Sequence, residues 1–301
     1  MSVKVENIVK YYGNQCALNQ VSFEIQKGEV VGFLGPNGAG KSTMMKIITG
    51  CLEADDGTVH VDGELMDTNV VNLRSKIGYL PEHNPLYGEM FVEEYLKFIA
   101  GIYHLKNKKQ RIDEVVRLTG LTPERHKKIQ ALSKGYKQRV GIAQALIHDP
   151  EVLILDEPTT GLDPNQLDEI RGLIRDVSNE KTVMLSTHIM QEVDQLCDRV
   201  IIVDQGNIVA DDELSLLKQH GGARIQRIYI EFEGEIDQEN LRGLSFIDNL
   251  EQKENGYLIT STHDEDVRPL LFKYAVENNY ILLTLNKMQE ELENIFKRIT
   301  Q

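Results

Sequence analysis

Cysteine is scarce in this chain of 301 residues. Cys16, Cys51 and Cys197 make neither an even set nor a metal-ligand spacing, which argues against a disulfide framework or a zinc site and leaves three ordinary side chains. Long apolar runs are also missing. The longest, such as Val152-Leu-Ile-Leu155 and Val200-Ile-Ile-Val203, have strand length, far short of the ~20 residues that a membrane-spanning helix needs. The start, MSVKVENIVKYYG, alternates polar and apolar residues and lacks the apolar stretch of a secretory leader, so a cytoplasmic location is expected. Positive charge is in deficit: the formal net charge of −14 argues against a nucleic-acid binder, which needs a basic face to neutralise phosphates, and no nucleic-acid partner is expected.

What is present fits a compact protein. Hydrophobic residues at 41% and charged residues at 27% exclude a fibrous or disordered chain, and the length predicts one large domain with a smaller second one. Two strands are expected over Val3 to Val9 and Ala17 to Ile25, turning near Gly13-Asn14, as an antiparallel edge. The largely apolar run Glu29 to Leu34 stops at a glycine-rich loop, and helical spacing begins at Lys41. Helices are expected over Phe91 to Tyr103, Lys108 to Thr119 and Lys134 to His148, forming a helical insert over about 84–150. Strands over Val152 to Leu155, Thr182 to Ser186 and Val200 to Val203 then alternate with helices over Asn165 to Ser178 and Met190 to Leu196, which predicts an α/β fold with a mainly parallel sheet over residues 1–220. After Gly221-Gly222 the character changes. A second α+β domain over 222–301 is expected, with strands at Ile225 to Phe232 and Tyr257 to Thr262, a hairpin near Asn255-Gly256, a ferredoxin-like order, and a last helix from Met288 to Ile299.

The loop Gly35, Pro36, Asn37, Gly38, Ala39, Gly40, Lys41, Ser42, Thr43 matches the phosphate-loop pattern and lies between a predicted strand and a predicted helix. Its glycines let backbone N–H groups wrap phosphates at a helix N-terminus, Lys41 reaches the β and γ phosphates, and Ser42 offers a hydroxyl to Mg²⁺. Further along, Val152-Leu-Ile-Leu155 ends in Asp156 and Glu157. Carboxylates at the carboxyl end of a buried parallel strand sit where α/β proteins bind ligands. Asp156 is the candidate for Mg²⁺, and Glu157 for orienting and activating the water that attacks the γ-phosphate.

The segment Leu132-Ser133-Lys134-Gly135-Tyr136-Lys137-Gln138-Arg139 opens a helix, with Ser133 as a plausible N-cap. Following the phosphate loop and preceding the Asp156-Glu157 strand, it resembles the LSGGQ signature of ABC ATPases. That resemblance covers residues 1 to about 220 and implies a P-loop ATPase with an inserted helical subdomain. It further implies that Tyr12 stacks on adenine, that Gly161-Leu-Asp163 crosses a dimer interface, and that His188 contacts the γ-phosphate. Two positions depart from the family pattern. Glu82, in Tyr79-Leu-Pro-Glu82, stands where the family usually has a glutamine that reaches Mg²⁺ and the attacking water. Lys134 and Tyr136 replace a glycine and a glutamine of the signature, leaving Ser133 and Gly135 as the expected contacts to a nucleotide held by a second chain. The remaining histidines, His60, His83, His104, His126, His148, His220 and His263, show no ligand spacing.

The resemblance implies ATP and Mg²⁺ as ligands, a homodimer or paired ATPase subunit, and a separate membrane permease that docks near Asn84 to Tyr103, with the chain peripheral on the inner face of the membrane. The acidic second domain looks like the tail of ABC-2-type exporter ATPases, and the whole is similar to gliding-motility-associated ATP-binding subunits. A tail of this length is too short for the regulatory domain of sugar-importer ATPases, which favours export. Soluble ABC proteins of translation or DNA repair carry two cassettes or a long coiled coil, and neither pattern is present. A non-hydrolysing module would have lost groups that are all here: Lys41, Glu157 and His188.

Overall fold

The computed structural model describes residues 2–66, 71–220, 226–234, 236–263, 265–288 and 292–300. The chain begins with β1 (Val3–Tyr12) and β2 (Gln15–Ile25), then β3 (Val30–Leu34), which feeds the glycine-rich loop into α1 (Lys41–Ile48). It continues through β4 (Asp56–Val61), β5 (Glu64–Leu65), the single turn α2 (Val71–Arg74) and β6 (Ile77–Leu80). Three helices follow: α3 (Val92–Ile102), α4 (Lys108–Leu118) and α5 (Lys134–Leu146). Then β7 (Val152–Asp156), α6 (Pro164–Ser178), β8 (Thr182–Ser186), α7 (Met190–Leu196), β9 (Arg199–Asp204) and β10 (Asn207–Glu213) alternate before α8 (Leu214–His220).

These strands build two sheets. The first is antiparallel, in the order β2-β1-β4-β5, and the second is six-stranded, β10-β9-β3-β8-β7-β6. Within the second, β9, β3, β8, β7 and β6 run parallel and only β10 is antiparallel, at the edge. All five residues of β3, β7 and β8 are buried, as continuous apolar runs are when both faces of a parallel sheet are covered. The hairpin strands extend further than their apolar alternation predicts, to Tyr12 and from Gln15, because Gly13 takes φ +60° and closes the turn tightly. The pattern did not predict β4, β5, β6 or β10. β4 contains Gly57 at φ +88°, where a Cβ would strike the backbone of Glu6 and Asn7, and β6 is only four residues long.

The helical insert has a core of its own, with Val92, Leu96, Val115, Leu121, Val140 and Ile147 all buried in one cluster. Arg125 fastens its surface, donating to Glu93 at 2.7 Å and pairing with Asp113 at 2.6 Å.

The chain divides into two compact units, Met1–Leu214 and Ser215–Ile299. The second contains β11 (Gln226–Phe232), α9 (Gln238–Arg242), β12 (Asn249–Gln252), β13 (Tyr257–Ser261), α10 (Arg268–Glu277), β14 (Leu282–Met288) and α11 (Leu292–Ile299). Its sheet is antiparallel throughout, in the order β12-β13-β11-β14, which is the ferredoxin-like arrangement. One boundary differs from expectation. Met288 closes β14, paired with Arg227, rather than opening the last helix, which runs over Leu292–Ile299. The expected strand start at Ile225, the Gly221-Gly222 junction and residues 289–291 lie outside the described residues.

Candidate functional site

The glycine-rich loop leaves the carboxyl end of β3, which lies between β9 and β8, and three close approaches give it its shape. A Cβ on Gly35 would strike the carbonyl oxygen of Val203. One on Gly40, at φ +108°, would lie 2.6 Å from the carbonyl oxygen of Ala17. Only glycine fits either position. The Gly206 N–H donates to Ala39 O at 3.1 Å, which pins the loop to the turn after β9. Lys41 folds back over the loop, its Nζ donating to Gly35 O at 2.8 Å and Pro36 O at 3.1 Å. Burial pushes its ammonium below the usual lysine value, against the opposing pull of Glu157, Asp156 and Glu82.

Opposite the loop, β7 ends in Asp156, buried at 1% exposure, followed by Glu157 at φ +51°. Ser186, at the end of β8, ties the two together. Its hydroxyl donates to Asp156 Oδ1 at 2.6 Å and accepts from the Glu157 N–H at 2.9 Å. The Glu157 side chain is held as firmly: Oε2 accepts from Thr160 Oγ1 at 2.9 Å and from His188 Nδ1 at 2.8 Å. Since a carboxylate only accepts, the His188 proton sits on Nδ1, facing Glu157.

Between these groups is a cavity of about 400 Å³, lined by Tyr12, Gln15, Ala17, Asn37, Gly38, Gly40, Lys41, Ser42, Thr43, Glu82 and Glu157. That volume suits a nucleotide-sized ligand. Tyr12, half exposed at the end of β1, is on its wall, and its neighbour Tyr11 is not. Glu82 enters from the segment after β6.

Ser133, Gly135 and Asp163 form a separate cluster that does not line this cavity. Ser133 Oγ accepts from the Tyr136 N–H at 3.4 Å and caps α5, while Asp163 Oδ1 accepts from the Gln166 N–H at 2.9 Å and caps α6. A Cβ on Gly135 would lie 2.7 Å from Gln166 Cδ, so the start of α5 and the start of α6 are in direct contact.

The model of the ABC transporter family matches residues 18–160. The linearmycin resistance ATP-binding protein LnrL of Bacillus subtilis is 34% identical over 304 residues, spanning 99% of this chain and 98% of that protein. The bacitracin transport ATP-binding protein BcrA of Bacillus licheniformis is 33% identical, spanning 99% and 96%. Among solved structures, the dimeric post-hydrolysis state of the ATP-binding cassette MJ0796, bound to ADP and Pi, superposes with a TM-score of 0.64 at 27% identity, covering 70% of this chain and 98% of that one. The chain belongs to the ABC transporter ATP-binding proteins. These are ATPases that bind ATP, dimerise and work with membrane permeases, and no described helix of this chain is long and apolar enough to cross a membrane itself.

Sequence reasoning about this ABC ATPase did not find Ser186, Thr160, Gln15 or Ala17. Ser186 ends the strand beside the one bearing Asp156 and is its register neighbour, a pairing that only the folded sheet creates. Ser186→Ala leaves a buried carboxylate oxygen and the Glu157 N–H without their shared hydroxyl. A loss of one such bond, about 1–1.5 kcal/mol, corresponds to a fall of about tenfold in kcat. Steady-state phosphate release at saturating ATP measures it, and an unchanged kcat would show that the backbone alone holds Glu157.

Proposed function

We propose that this chain is the ATP-driven half of an exporter, in which two copies, or this copy and a related subunit, close around two ATP molecules. The observation that carries the reading is the separation of the phosphate-loop cavity from Ser133 and Gly135, which line no part of it although both belong to the same compact unit. A nucleotide in the cavity would lack the signature contacts until a second chain supplies them. The dimeric MJ0796 cassette supports this reading.

Within each site Tyr12 stacks on adenine, and the N–H groups of Gly35 to Thr43, with Pro36, Asn37, Gly38 and Ala39 shaping the loop, surround the phosphates. Lys41 moves from the loop carbonyls to the β and γ phosphates. Glu157, held by Thr160, Ser186 and His188, orients the attacking water and takes its proton, while His188 reaches the γ-phosphate. Ser133 and Gly135 of the second chain contact that phosphate, and Asp163 lies in the loop crossing the interface. Ser42 and Glu82 line the cavity and Asp156 is buried at the end of β7; their hydroxyl and carboxylate oxygens are a hard donor set that would hold Mg²⁺. When bound, Mg²⁺ neutralises charge on the β and γ phosphates.

Transport follows from differential binding. ATP that binds only the closed dimer supplies the free energy of closure, and its hydrolysis removes it. A permease of the ABC-2 type, docked near residues 84–103, converts that cycle into movement, with this chain on the cytoplasmic face of the membrane. The names of LnrL and BcrA, resistance and transport of antibiotics, support export. The likeness to gliding-motility-associated subunits belongs to the same export reading, at the level of the whole chain.

Light scattering on Glu157→Gln with Mg-ATP tests the sandwich. The expected outcome is a shift from the mass of one chain to that of two, reversed when ATP is removed. A single-chain mass with ATP bound would overturn closure by ATP as a property of this protein.

A further inference from the structure

The two departures from the family pattern are charges of opposite sign, and neither finds a partner among the described residues. Glu82 stands on the wall of the nucleotide cavity and makes no hydrogen bond or ion pair with the described residues. Lys134 is exposed at the first position of α5 and likewise has none. A cation there is opposed by the positive end of the helix dipole, and no acidic residue occupies the first turn to offset it. Nothing in the fold of one chain favours a lysine at this position. Its ammonium lies beside Gly161, at φ +72°, so close that a Cβ on Gly161 would strike it. It therefore lies against the Gly161–Asp163 loop, next to Ser133 and Gly135.

We infer that Lys134 of one chain is the counter-charge to Glu82 of the other, the two meeting at the γ-phosphate when the dimer closes. This rests on the sandwich reading above. Closure buries the γ-phosphate with three carboxylates, those of Asp156, Glu157 and Glu82, where the family pattern has two and a neutral amide. Against them this chain sets Lys41 and, by our assignment, one further cation delivered by the partner. The added negative charge and the added positive charge balance within a site only if they come from different chains, because in one chain Glu82 lines the cavity and Lys134 does not. Lys41 already feels Glu82, which opposes the loss of its proton. A second cation near that carboxylate keeps an ATP site with an extra negative charge able to close. Lys134 is a positioning residue in this scheme: it acts on closure through charge, and the water is still activated by Glu157.

The other basic residues of the signature helix are placed differently. Arg139 is occupied, its Nη1 donating to Thr119 O at 2.9 Å and its Nη2 to Glu169 Oε2 at 2.5 Å. Lys137 lies in the following turn and serves as a control for non-specific charge.

The test uses the full-length Glu157→Gln protein with Mg-ATP and reads the protein concentration at which half the chains are dimeric. Lys134→Gly is expected to raise that concentration about tenfold, a coupling in the ordinary range for contacting charges. In a Glu82→Gln background the same substitution is expected to cost no more than about twofold, Lys134→Arg to retain closure, and Lys137→Ala to show no coupling with Glu82. Raising the salt concentration narrows the gap between Lys134→Gly and its parent, which a purely structural role would not produce. Additive effects of Lys134→Gly and Glu82→Gln, or no effect of Lys134→Gly in a parent that does dimerise, overturn the pairing and leave the sandwich standing. Failure of the Glu157→Gln parent to dimerise overturns the sandwich and the pairing with it.

Discussion

Glu157→Gln lowers ATP turnover by about 10²- to 10⁴-fold, the range for removing a positioned general base, while nucleotide binding is retained. The substitution is close to isosteric, so the effect is chemical rather than structural. Glu157 sits at φ +51°, a conformation uncommon outside glycine, yet the contacts that hold it are mostly to its backbone. Its N–H reaches both the carbonyl and the hydroxyl of Ser186, at 3.2 and 2.9 Å, and these bonds survive in the glutamine variant. The amide oxygen of glutamine still accepts from Thr160 and from His188 Nδ1. What is lost is the charge and the proton affinity. Single-turnover hydrolysis with the variant in excess over ATP separates the chemical step from product release. His188→Ala is expected to have a smaller effect, since Thr160 still holds the carboxylate and Ser186 still holds the Glu157 backbone. A Glu157→Gln protein that hydrolyses at the normal rate would mean that another group takes the proton, and Glu82, on the same cavity wall, would be the residue to examine.

The parts of this site that the sequence revealed are those in which one residue type has a single physical use. Gly35 and Gly40 are legible because their backbone approaches exclude a Cβ, and Lys41 because a lysine following such a loop meets phosphate. The strand carrying Asp156 is legible as a continuous apolar run ending in two acids. The helices of the insert, read from their spacing, fall within a few residues of their observed ends, as with Val92–Ile102 and Lys108–Leu118. The hidden features depend on a neighbour far away in the chain. Ser186 is thirty positions from Asp156 and becomes part of the site through the β7–β8 register. Ala17 enters the cavity because the first hairpin crosses the phosphate loop, where its carbonyl oxygen faces Gly40. Neither pairing leaves a local pattern. Strands β4 and β6 were missed for the same reason, since short segments gain their stability from the sheets they join more than from their own composition. At Met288 a register decides: pairing with Arg227 keeps it in β14 although its helical spacing with later residues suggested otherwise.

Lys41→Met weakens ATP binding by about 10- to 100-fold, matching the loss of hydrogen bonds from a charged donor at about 1.5–3 kcal/mol. The nucleotide-free protein responds in the opposite direction. Burial holds the Lys41 proton less tightly in the folded protein than in the unfolded chain. The charged ammonium therefore costs folding stability in full at every pH below its folded value; the cost shrinks as pH rises past that value and is gone above the value of the unfolded chain. At neutral pH its present partners, the carbonyls of Gly35 and Pro36, are neutral acceptors that only partly offset the cost. Methionine fills similar space without the charge, so thermal unfolding of the free variant is expected at the same temperature as the parent or higher. Nucleotide then separates the two proteins. At an ATP concentration 100 times the parental Kd the parent gains about 2.7 kcal/mol, whereas a variant binding 100-fold more weakly gains about 0.4 kcal/mol at the same concentration. Scanning calorimetry of the Glu157→Gln and Glu157→Gln/Lys41→Met proteins, with and without Mg-ATP, reads both effects without interference from hydrolysis. A free variant that unfolds well below its parent would show that Lys41 serves the loop's architecture first. A shift on adding ATP equal to the parent's would remove Lys41 from the phosphate site.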